Sequence, residues 1–441
     1  MSLLPISHYD LIVIGGGVAG IQAALEAKKL QPKKSVALIS DEIEMYSRPS
    51  LTAVISGVVN NVDRIGIFSQ QTLNCSDIHL FPRQEISEIE HSLHTVRVRK
   101  KGQKQSVHPS NITYDKLVVA TGGKPVIPKT EGVRLPGVFT IRKFEEALAA
   151  SRFMSSGMTA YVVGAGFVGL DAAETLAHRG LRVTLVVRSR ILRGILEQDL
   201  SETLVERAKN HRVRVLSGVT LERIEGNQKV ERVVTDGETL KADVVIFATG
   251  VEPETKLAQS MGLVTSQNGA IKTDTKMQTN QNGVYATGDC SESIDFVSRK
   301  SAYRPLGSIA ALTAQIAAAN AIGVEKTYDG IIRRQYNRIF GTEIVSVGLS
   351  TEEAKSFGIR AKEFNCMIKK PELLSIPQLV LRNLMRVIVN EDTNVIIGWQ
   401  VVGIRQSSLF YHYFYDCIFH RRRLEDVRAS GLRIELVFEQ K

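Results

Sequence analysis

The chain has 441 residues, of which 43% are hydrophobic and 23% are charged. This length is enough for two or three domains, and the composition excludes an intrinsically disordered chain. The formal charge of +10 is spread along the sequence, so it favours acidic partners without indicating a nucleic-acid-binding protein.

The cysteine content and the hydropathy pattern further limit the class of protein to which the chain can belong. Cys75, Cys290, Cys366 and Cys417 are too few and too scattered for a disulfide framework, and no Cys/His cluster has the spacing of a metal site. We predict neither a signal peptide nor a membrane-spanning helix, because the Ala-rich uncharged segment at residues 307–323 is short and carries polar side chains. We therefore expect a cytoplasmic protein that binds no metal, no membrane and no nucleic acid.

Two segments about one domain length apart share the order strand, glycine turn, helix, strand. In the first, the apolar run at residues 9–14 precedes the turn GGGVAG at 15–20 and a second apolar run at 35–39. In the second, residues 160–163 precede GAGFVG at 164–169 and a further run at 183–187. Each segment predicts a βαβ unit of a parallel sheet.

The three glycines of each turn suit a dinucleotide. The first permits the tight turn, the second lets a pyrophosphate approach the backbone, and the third lets the helix pack on the strand. The helix N-terminus then offers N–H groups to the phosphates. We predict two such sites, at Gly15, Gly17 and Gly20, and at Gly164, Gly166 and Gly169.

The rest of the chain shows two sequence patterns. Residues 83–120 and 212–247 alternate apolar and polar side chains and predict antiparallel β-structure. From about residue 325 strands and helices mix, which predicts a separate α+β domain.

The residues that follow the second strand have different side-chain chemistry in the two βαβ units. The first runs into Asp41 and Glu42, which can accept hydrogen bonds from a ribose diol. The second runs into Arg188 and Arg190, with no acid, and these guanidinium groups suit the 2′-phosphate of NADPH. The alternative, two arginines that are only solvated, stays open at this point.

Three further stretches carry a family resemblance. They are YDKLVVATG at 114–122, ADVVIFATG at 242–250 and TNQNGVYATGDC at 279–290. With the two glycine turns, they make nearly the whole chain resemble the pyridine nucleotide-disulfide oxidoreductases, flavoproteins with two dinucleotide sites.

This resemblance implies an α/β fold with two Rossmann-like three-layer dinucleotide-binding domains and a C-terminal α+β dimerisation domain. An NADP domain at residues 123–250 would interrupt an FAD domain at 1–122 and 251–325, and the dimerisation domain would span 326–441. The implied cofactors are FAD and NADPH, with NADH less favoured. The implied cofactor-binding residues are Gly15, Gly17, Gly20, Asp41, Glu42, Arg48, Pro49, Ile86, Ala120, Thr121, Gly122, Gly164, Gly166, Gly169, Arg188, Arg190, Gly250, Gly288, Asp289 and Leu306.

The sequence departs from the family at the expected redox centre. The disulfide reductases carry a cysteine on the helix after the first ribose-binding carboxylate, but residues 45–57 contain none, and Pro49 stands near that position. A family lysine is Ala53 here, and its glutamate partner is Asp171. We therefore assign candidate catalytic roles to Arg48, Asp171 and Glu174, with Glu174 a possible substitute one helical turn beyond Asp171.

Without a cysteine relay, the chain is similar to rubredoxin and ferredoxin reductases and to NAD(P)H oxidases. We expect a homodimeric enzyme that takes a hydride from NADPH and passes electrons to an acidic carrier protein or a small acceptor. Two alternatives remain: an NAD(P)H oxidase that uses O₂, and a flavoprotein in which nucleotide binding controls association.

Overall fold

The structure, a computed structural model, describes residues 7–42, 45–66, 75–102, 110–369, 384–403, 411–429 and 435–440. The strands of this part of the chain are β1 (His8–Ile14), β2 (Val36–Ile39), β3 (Ile78–Phe81), β4 (Gln84–Glu90), β5 (Thr95–Lys100), β6 (Ser110–Val119), β7 (Gly123–Pro125), β8 (Val138–Thr140), β9 (Thr159–Val163), β10 (Arg182–Val187), β11 (Val213–Ser217), β12 (Leu221–Glu225), β13 (Arg232–Thr235), β14 (Thr239–Lys241), β15 (Val244–Phe247), β16 (Val251–Pro253), β17 (Val284–Ala286), β18 (Ser293–Ile294), β19 (Ser301–Ala302), β20 (Arg334–Ile339), β21 (Thr342–Gly348), β22 (Ala361–Lys369), β23 (Leu384–Asn390), β24 (Ile396–Gly403) and β25 (Glu435–Gln440).

The helices are α1 (Val18–Leu30), α2 (Leu51–Ile55), α3 (Phe144–Phe153), α4 (Phe167–His178), α5 (Gln198–Asn210), α6 (Lys256–Ser260), α7 (Gly307–Ala321), α8 (Thr351–Ser356), α9 (Tyr411–Phe419) and α10 (Leu424–Ala429). Short 3₁₀ helices lie at Arg48–Ser50, Val62–Ile65, His91–Leu93 and Gly288–Cys290. No helix in the described ranges is both long and apolar enough to cross a bilayer.

The first sheet has the order β3-β2-β1-β6-β5-β4, with β17 also paired to β6. Strand β6 has three neighbours. On one side it pairs parallel with β1, and on the other its first half pairs antiparallel with β5 and its second half pairs parallel with β17. The carboxyl ends of β1, β2 and β6 therefore meet at one edge of the sheet. Helices α1 and α7 pack together through buried alanines on the same layer of core.

The second sheet, β11-β10-β9-β15-β8, is parallel throughout. A separate antiparallel sheet, β12-β13-β14, lies between β11 and β15 in the chain. The prediction for residues 212–247 was therefore wrong at both ends, because the edge strand β11 and the buried strand β15 belong to the parallel sheet, and only residues 221–241 are antiparallel. A buried parallel strand appears in the sequence as a short apolar run. Hydrophobic periodicity alone does not distinguish such a strand from a half-buried strand.

All strands of the second sheet lie between β6 and β17 of the first sheet in the sequence. The chain enters and leaves this insertion through an antiparallel pair, in which Val251 of β16 opposes Pro125 of β7. The predicted α/β class is confirmed by the parallel strands of the first, mixed sheet and of the second sheet, with their crossover helices. The exact domain limits stay predictions.

The third sheet, β20-β21-β24-β23-β22-β25, is antiparallel and packs against α9 and α10. Its core centres on Trp399, whose ring stacks on that of Phe414 with centroids 4.1 Å apart. The C-terminal part is thus α+β, as predicted. It docks on the segment before α5, where the buried Glu197 backbone N–H donates to the Gln400 side chain.

Candidate functional site

In the turn between β1 and α1, only one glycine has room for a Cβ atom. A Cβ on Gly15, at φ +116°, would meet the Ala120 carbonyl oxygen at 2.1 Å. A Cβ on Gly20 would meet the Gly15 carbonyl oxygen at 1.8 Å, whereas one on Gly17 would meet nothing within 4 Å. The first and third glycines are therefore needed for packing, and the second leaves the cradle that a phosphate requires.

The turn between β9 and α4 repeats this arrangement. A Cβ on Gly164 would meet the Ala248 carbonyl oxygen at 2.4 Å, and one on Gly169 would meet the Gly164 carbonyl oxygen at 2.0 Å. At Gly166 the space is open. Two turns of different sequence thus share one geometry, which fits two dinucleotides.

Asp41 and Glu42 follow β2, as predicted, but they have different surroundings. Asp41 is half exposed and forms ion pairs with Lys101 at 2.6 Å and Lys143 at 3.5 Å. Burial alone would raise the pKa of Asp41, but these lysines outweigh it, and the pKa is lowered. Glu42 is more buried and lies 3.3 Å from Arg48. Both carboxylates stand at the strand end where a ribose is expected.

A chain of polar contacts joins Arg48 to Asp289. Arg48 Nη1 donates to the Arg142 carbonyl oxygen at 2.6 Å, and Arg142 Nη2 donates to Asp289 Oδ2 at 2.7 Å. Arg142 Nε also donates to the carbonyl oxygen of Gly123. Sequence reasoning missed Arg142, because a single arginine before a helix resembles many surface arginines.

The Gly288–Cys290 turn brings the second predicted flavin motif against α1. Gly288 has φ +79°, and a Cβ there would lie 2.8 Å from the Cβ of Ala19. Tyr303, which the sequence also gave no reason to select, donates from its hydroxyl to the Asp289 carbonyl oxygen at 3.1 Å. Cys290 is buried, its thiol donates to the Thr287 carbonyl oxygen, and burial raises its pKa. This thiol is therefore a poor nucleophile.

Asp171 and Glu174 lie on α4, whose first half faces α2. Thr52, one residue before Ala53, lies beside the Asp171 carboxyl, and the Thr52 hydroxyl donates to the Pro49 carbonyl oxygen at 3.2 Å. Burial raises the pKa of Asp171, the negative charge of Glu174 adds to this, and the Thr52 contact opposes it. The family's ion pair is thus replaced by a hydroxyl–carboxyl contact. Thr52 was missed because it stands 119 residues from its partner.

Arg188 and Arg190 have different surroundings in the structure. Arg188 is exposed directly after β10. Arg190 instead donates from Nη1 to the Leu196 carbonyl and to Ser201, and from Nη2 to Glu352 Oε2 at 3.2 Å. Nη1 and Nη2 of Arg190 therefore have partners within the protein, and a phosphate-binding role for Arg190 stays a prediction.

The remaining predicted residues lie near the same edge of the first sheet or at its insertion. Thr121 donates from its hydroxyl to the Glu254 carbonyl, and Gly122 and Gly250 have positive φ after β6 and β15. Pro49 lies in the 3₁₀ helix at 48–50, and Leu306 precedes α7. Ile86 lies on β4 beside a bulge.

Other reactive groups are distant from these contacts. Cys366 and Cys417 lie in the core of the third sheet, and Cys75 is exposed. In the described ranges no three His, Cys, Asp or Glu side chains come close enough to hold a metal ion.

Comparisons with known proteins agree with this geometry. The family model for pyridine nucleotide-disulphide oxidoreductases matches residues 9–303. An NAD(P)H sulfur oxidoreductase (CoA-dependent) from Pyrococcus furiosus is 31% identical over 399 residues, which cover 89% of this chain and 88% of that protein. An NADH oxidase from Methanocaldococcus jannaschii is 30% identical over 401 residues, covering 89% and 87%.

The solved structure of an NAD-dependent persulfide reductase from A. fulgidus matches with a TM-score of 0.88 and 26% identity, over 96% of this chain and 79% of that one. The family consists of oxidoreductases that depend on FAD and NAD(P)H. The chain, with its two glycine cradles and its matched residues, belongs to the pyridine nucleotide-disulphide oxidoreductase family of flavin-dependent enzymes.

Proposed function

We propose that the protein oxidises NADPH and passes the electrons to an electron-carrier protein without a cysteine relay. The observation that supports this most is the segment at residues 45–57, which contains α2 and has no cysteine. The family's disulfide reductases carry their redox cysteine in this segment.

The first glycine turn and its neighbours would hold FAD. The backbone at Gly17 would admit the pyrophosphate, Asp41 or Glu42 would accept hydrogen bonds from the ribose, and Asp289 from the ribityl chain. Arg142 orients Asp289 for this role through its 2.7 Å contact. Bound FAD supplies hydride acceptance and one-electron transfer, while the protein supplies position and charge.

The second glycine turn would hold NADPH. Val187 ends β10 at 3% exposure and has no group that accepts hydrogen bonds from a ribose diol. The exposed Arg188 next to it offers a charge for the 2′-phosphate. This supports NADPH over NADH.

Asp171 would act beside the nicotinamide. Its raised pKa keeps the proton on its carboxyl to a higher pH than for a solvated aspartate. We also assign the third sheet to a homodimer contact, in keeping with the family resemblance.

A small acceptor is the second candidate. The relatives named above are a sulfur oxidoreductase and an NADH oxidase, which favours a sulfur compound or O₂. Both candidates share the direct exit of electrons, because residues 45–57 contain no cysteine.

The acceptor can be tested with the FAD-loaded protein reduced by NADPH in the absence of air. The reduced protein is then mixed separately with ferredoxin, rubredoxin, polysulfide and O₂, and reoxidation is followed by flavin absorbance. Faster reoxidation by a carrier protein, slowed by high salt, supports the proposal. Fastest reoxidation by O₂ or polysulfide supports the second candidate, and failure of NADPH to reduce the flavin contradicts both.

A further inference from the structure

We propose that Glu352, on α8 of the C-terminal part, sets the preference between NADPH and NADH by competing with the 2′-phosphate for arginines. The inference rests on the proposed function, which assigns NADPH to the second glycine turn. It concerns a residue far from both glycine turns in the sequence.

The segment after β10 lies directly beside the second glycine turn. The Leu192 backbone N–H donates to the Ala165 carbonyl oxygen at 2.9 Å, inside the turn, and the Gly164 N–H donates to the Val186 carbonyl oxygen at 3.0 Å. Residues 188–193 therefore border the open space at Gly166. Any guanidinium on this segment is a candidate ligand for a phosphate on the adenosine ribose.

The Glu352 carboxylate forms ion pairs with two of these guanidinium groups. Its Oε2 lies 3.2 Å from Arg190 Nη2, and its Oε1 lies 2.8 Å from Arg193 Nε. The Glu352 carboxylate thus bridges Arg190 and Arg193. Of the three arginines at residues 188–193, the exposed Arg188 is the one that Glu352 does not bind. The Glu352 side chain is 41% exposed and that of Arg190 is 24% exposed, so the competition takes place at the protein surface.

Docking of α8 on this segment has other, stronger supports. Ser350 Oγ donates to the Gly194 carbonyl oxygen at 3.0 Å. The Thr351 N–H and hydroxyl donate to the two carboxylate oxygens of Glu197 at 2.9 and 2.6 Å. Substitution of Glu352 should therefore leave α8 in place and change only the charge near the arginines.

The charge of Glu352 acts only against a phosphorylated ribose. A donor that bonds to Glu352 is not available to a 2′-phosphate, and the carboxylate also repels that phosphate. Both effects weaken NADPH binding and neither touches NADH, which has a hydroxyl at this place. Glu352 is thus a specificity-determining residue that holds NADPH affinity below what three arginines would give.

The test uses FAD-loaded protein and two probes, adenosine 2′,5′-bisphosphate and AMP, with titration calorimetry as the readout. Glu352→Gln should tighten bisphosphate binding about three- to tenfold, less than a buried charged hydrogen bond would give because the site is exposed. AMP binding should not change. Glu206→Gln is the matched control, since it removes an exposed glutamate that pairs with Lys209 in the same part of the chain.

A second variant separates competition from general charge. In a background that carries both Arg190→Ala and Arg193→Ala, Glu352→Gln should lose most of its gain. The inference is overturned if Glu352→Gln, folded and FAD-loaded, leaves bisphosphate binding unchanged, tightens AMP equally, gains no more than Glu206→Gln, or keeps its gain without the two arginines. A wild-type protein that binds neither probe overturns the proposed function instead.

Discussion

Arg142 and Asp289 form an ion pair, with Nη2 and Oδ2 2.7 Å apart, between segments 147 residues apart in the sequence. Arg142 precedes α3, within the insertion that carries the second sheet, and Asp289 follows β17 of the first sheet. Their side chains are only 15% and 16% exposed. One charged contact therefore ties the insertion to the turn that we assign to the flavin.

Arg142→Ala should lower both stability and FAD retention. It leaves the Asp289 carboxylate largely buried without its partner, which costs about 1–3 kcal/mol in unfolding free energy. Urea unfolding and FAD release on dialysis measure the two effects. Arg97→Ala is the control, because Arg97 pairs with Glu88 and Glu90 at the surface and should change stability by less than about 1 kcal/mol. Equal effects of the two variants would contradict a special role for Arg142.

Gly17→Ala and Gly20→Ala should fail in different ways. Gly20→Ala places a methyl group 1.8 Å from the Gly15 carbonyl oxygen, so we expect a loss of folded protein. Gly17→Ala meets no protein atom within 4 Å and has φ −76°, so we expect normal folding with weakened FAD binding. Circular dichroism and FAD content per chain distinguish the two. Wild-type FAD affinity in Gly17→Ala would mean that no phosphate approaches this turn.

Asp171 should contribute a pH-dependent term to stability. Its folded-state pKa is raised by burial above the ordinary 3.8, so folding favours the protonated form. This stabilising contribution is complete below the unfolded pKa and is lost as pH rises through the folded one. Asp171→Asn cannot titrate, so its stability relative to wild type should rise across that window.

Urea unfolding at a series of pH values from acid to neutral measures this difference. Glu174→Gln is the companion variant, because it removes a negative charge that raises the pKa of Asp171 and should move the window to lower pH. Parallel pH profiles for wild type and Asp171→Asn would show that Asp171 titrates as a solvated aspartate.

Replacement of all four cysteines by serine should preserve electron transfer. The Cys290 thiol is buried and donates a hydrogen bond to the Thr287 carbonyl oxygen. Cys366 and Cys417 lie in the core of the third sheet. We expect reduced thermal stability from these buried sites, but an unchanged rate of acceptor reduction per bound FAD. Stopped-flow reduction and reoxidation provide the measurement. A variant that keeps FAD and is reduced by NADPH, but no longer passes electrons on, would require a thiol relay.

Local features of the sequence predicted the local features of the site. The glycine turns, Asp41 and the turn at Gly288 each depend on residues close together in the chain, so their spacing was sufficient. The pairing of β6 with both β5 and β17 was not predicted, because it joins strands on either side of the whole insertion. The structure was needed to order them.

The contacts that the sequence did not show are long-range ones. Arg142 meets Asp289, Thr52 meets Asp171, and Arg190 meets Glu352 across 162 residues. Arg190 illustrates the difficulty: its position after β10 favoured a phosphate ligand, while its actual partner comes from the C-terminal part. A charged side chain takes the partner that the folded chain presents, which local spacing does not reveal.

Arg188 provides the sharpest test of nucleotide choice, because it alone of the two predicted arginines is exposed beside β10. The 2′-phosphate brings about two negative charges, and a charged hydrogen bond from a guanidinium contributes about 1.5–3 kcal/mol when desolvated. Exposure reduces this, so NADPH should be favoured over NADH by about tenfold in kcat/KM. Arg188→Ala should raise KM for NADPH and leave KM for NADH nearly unchanged, while Arg182→Ala, at the exposed start of the same strand, should change neither. Steady-state kinetics with both nucleotides decide the matter, since equal or better use of NADH by the wild type would show that Arg188 is only a surface charge.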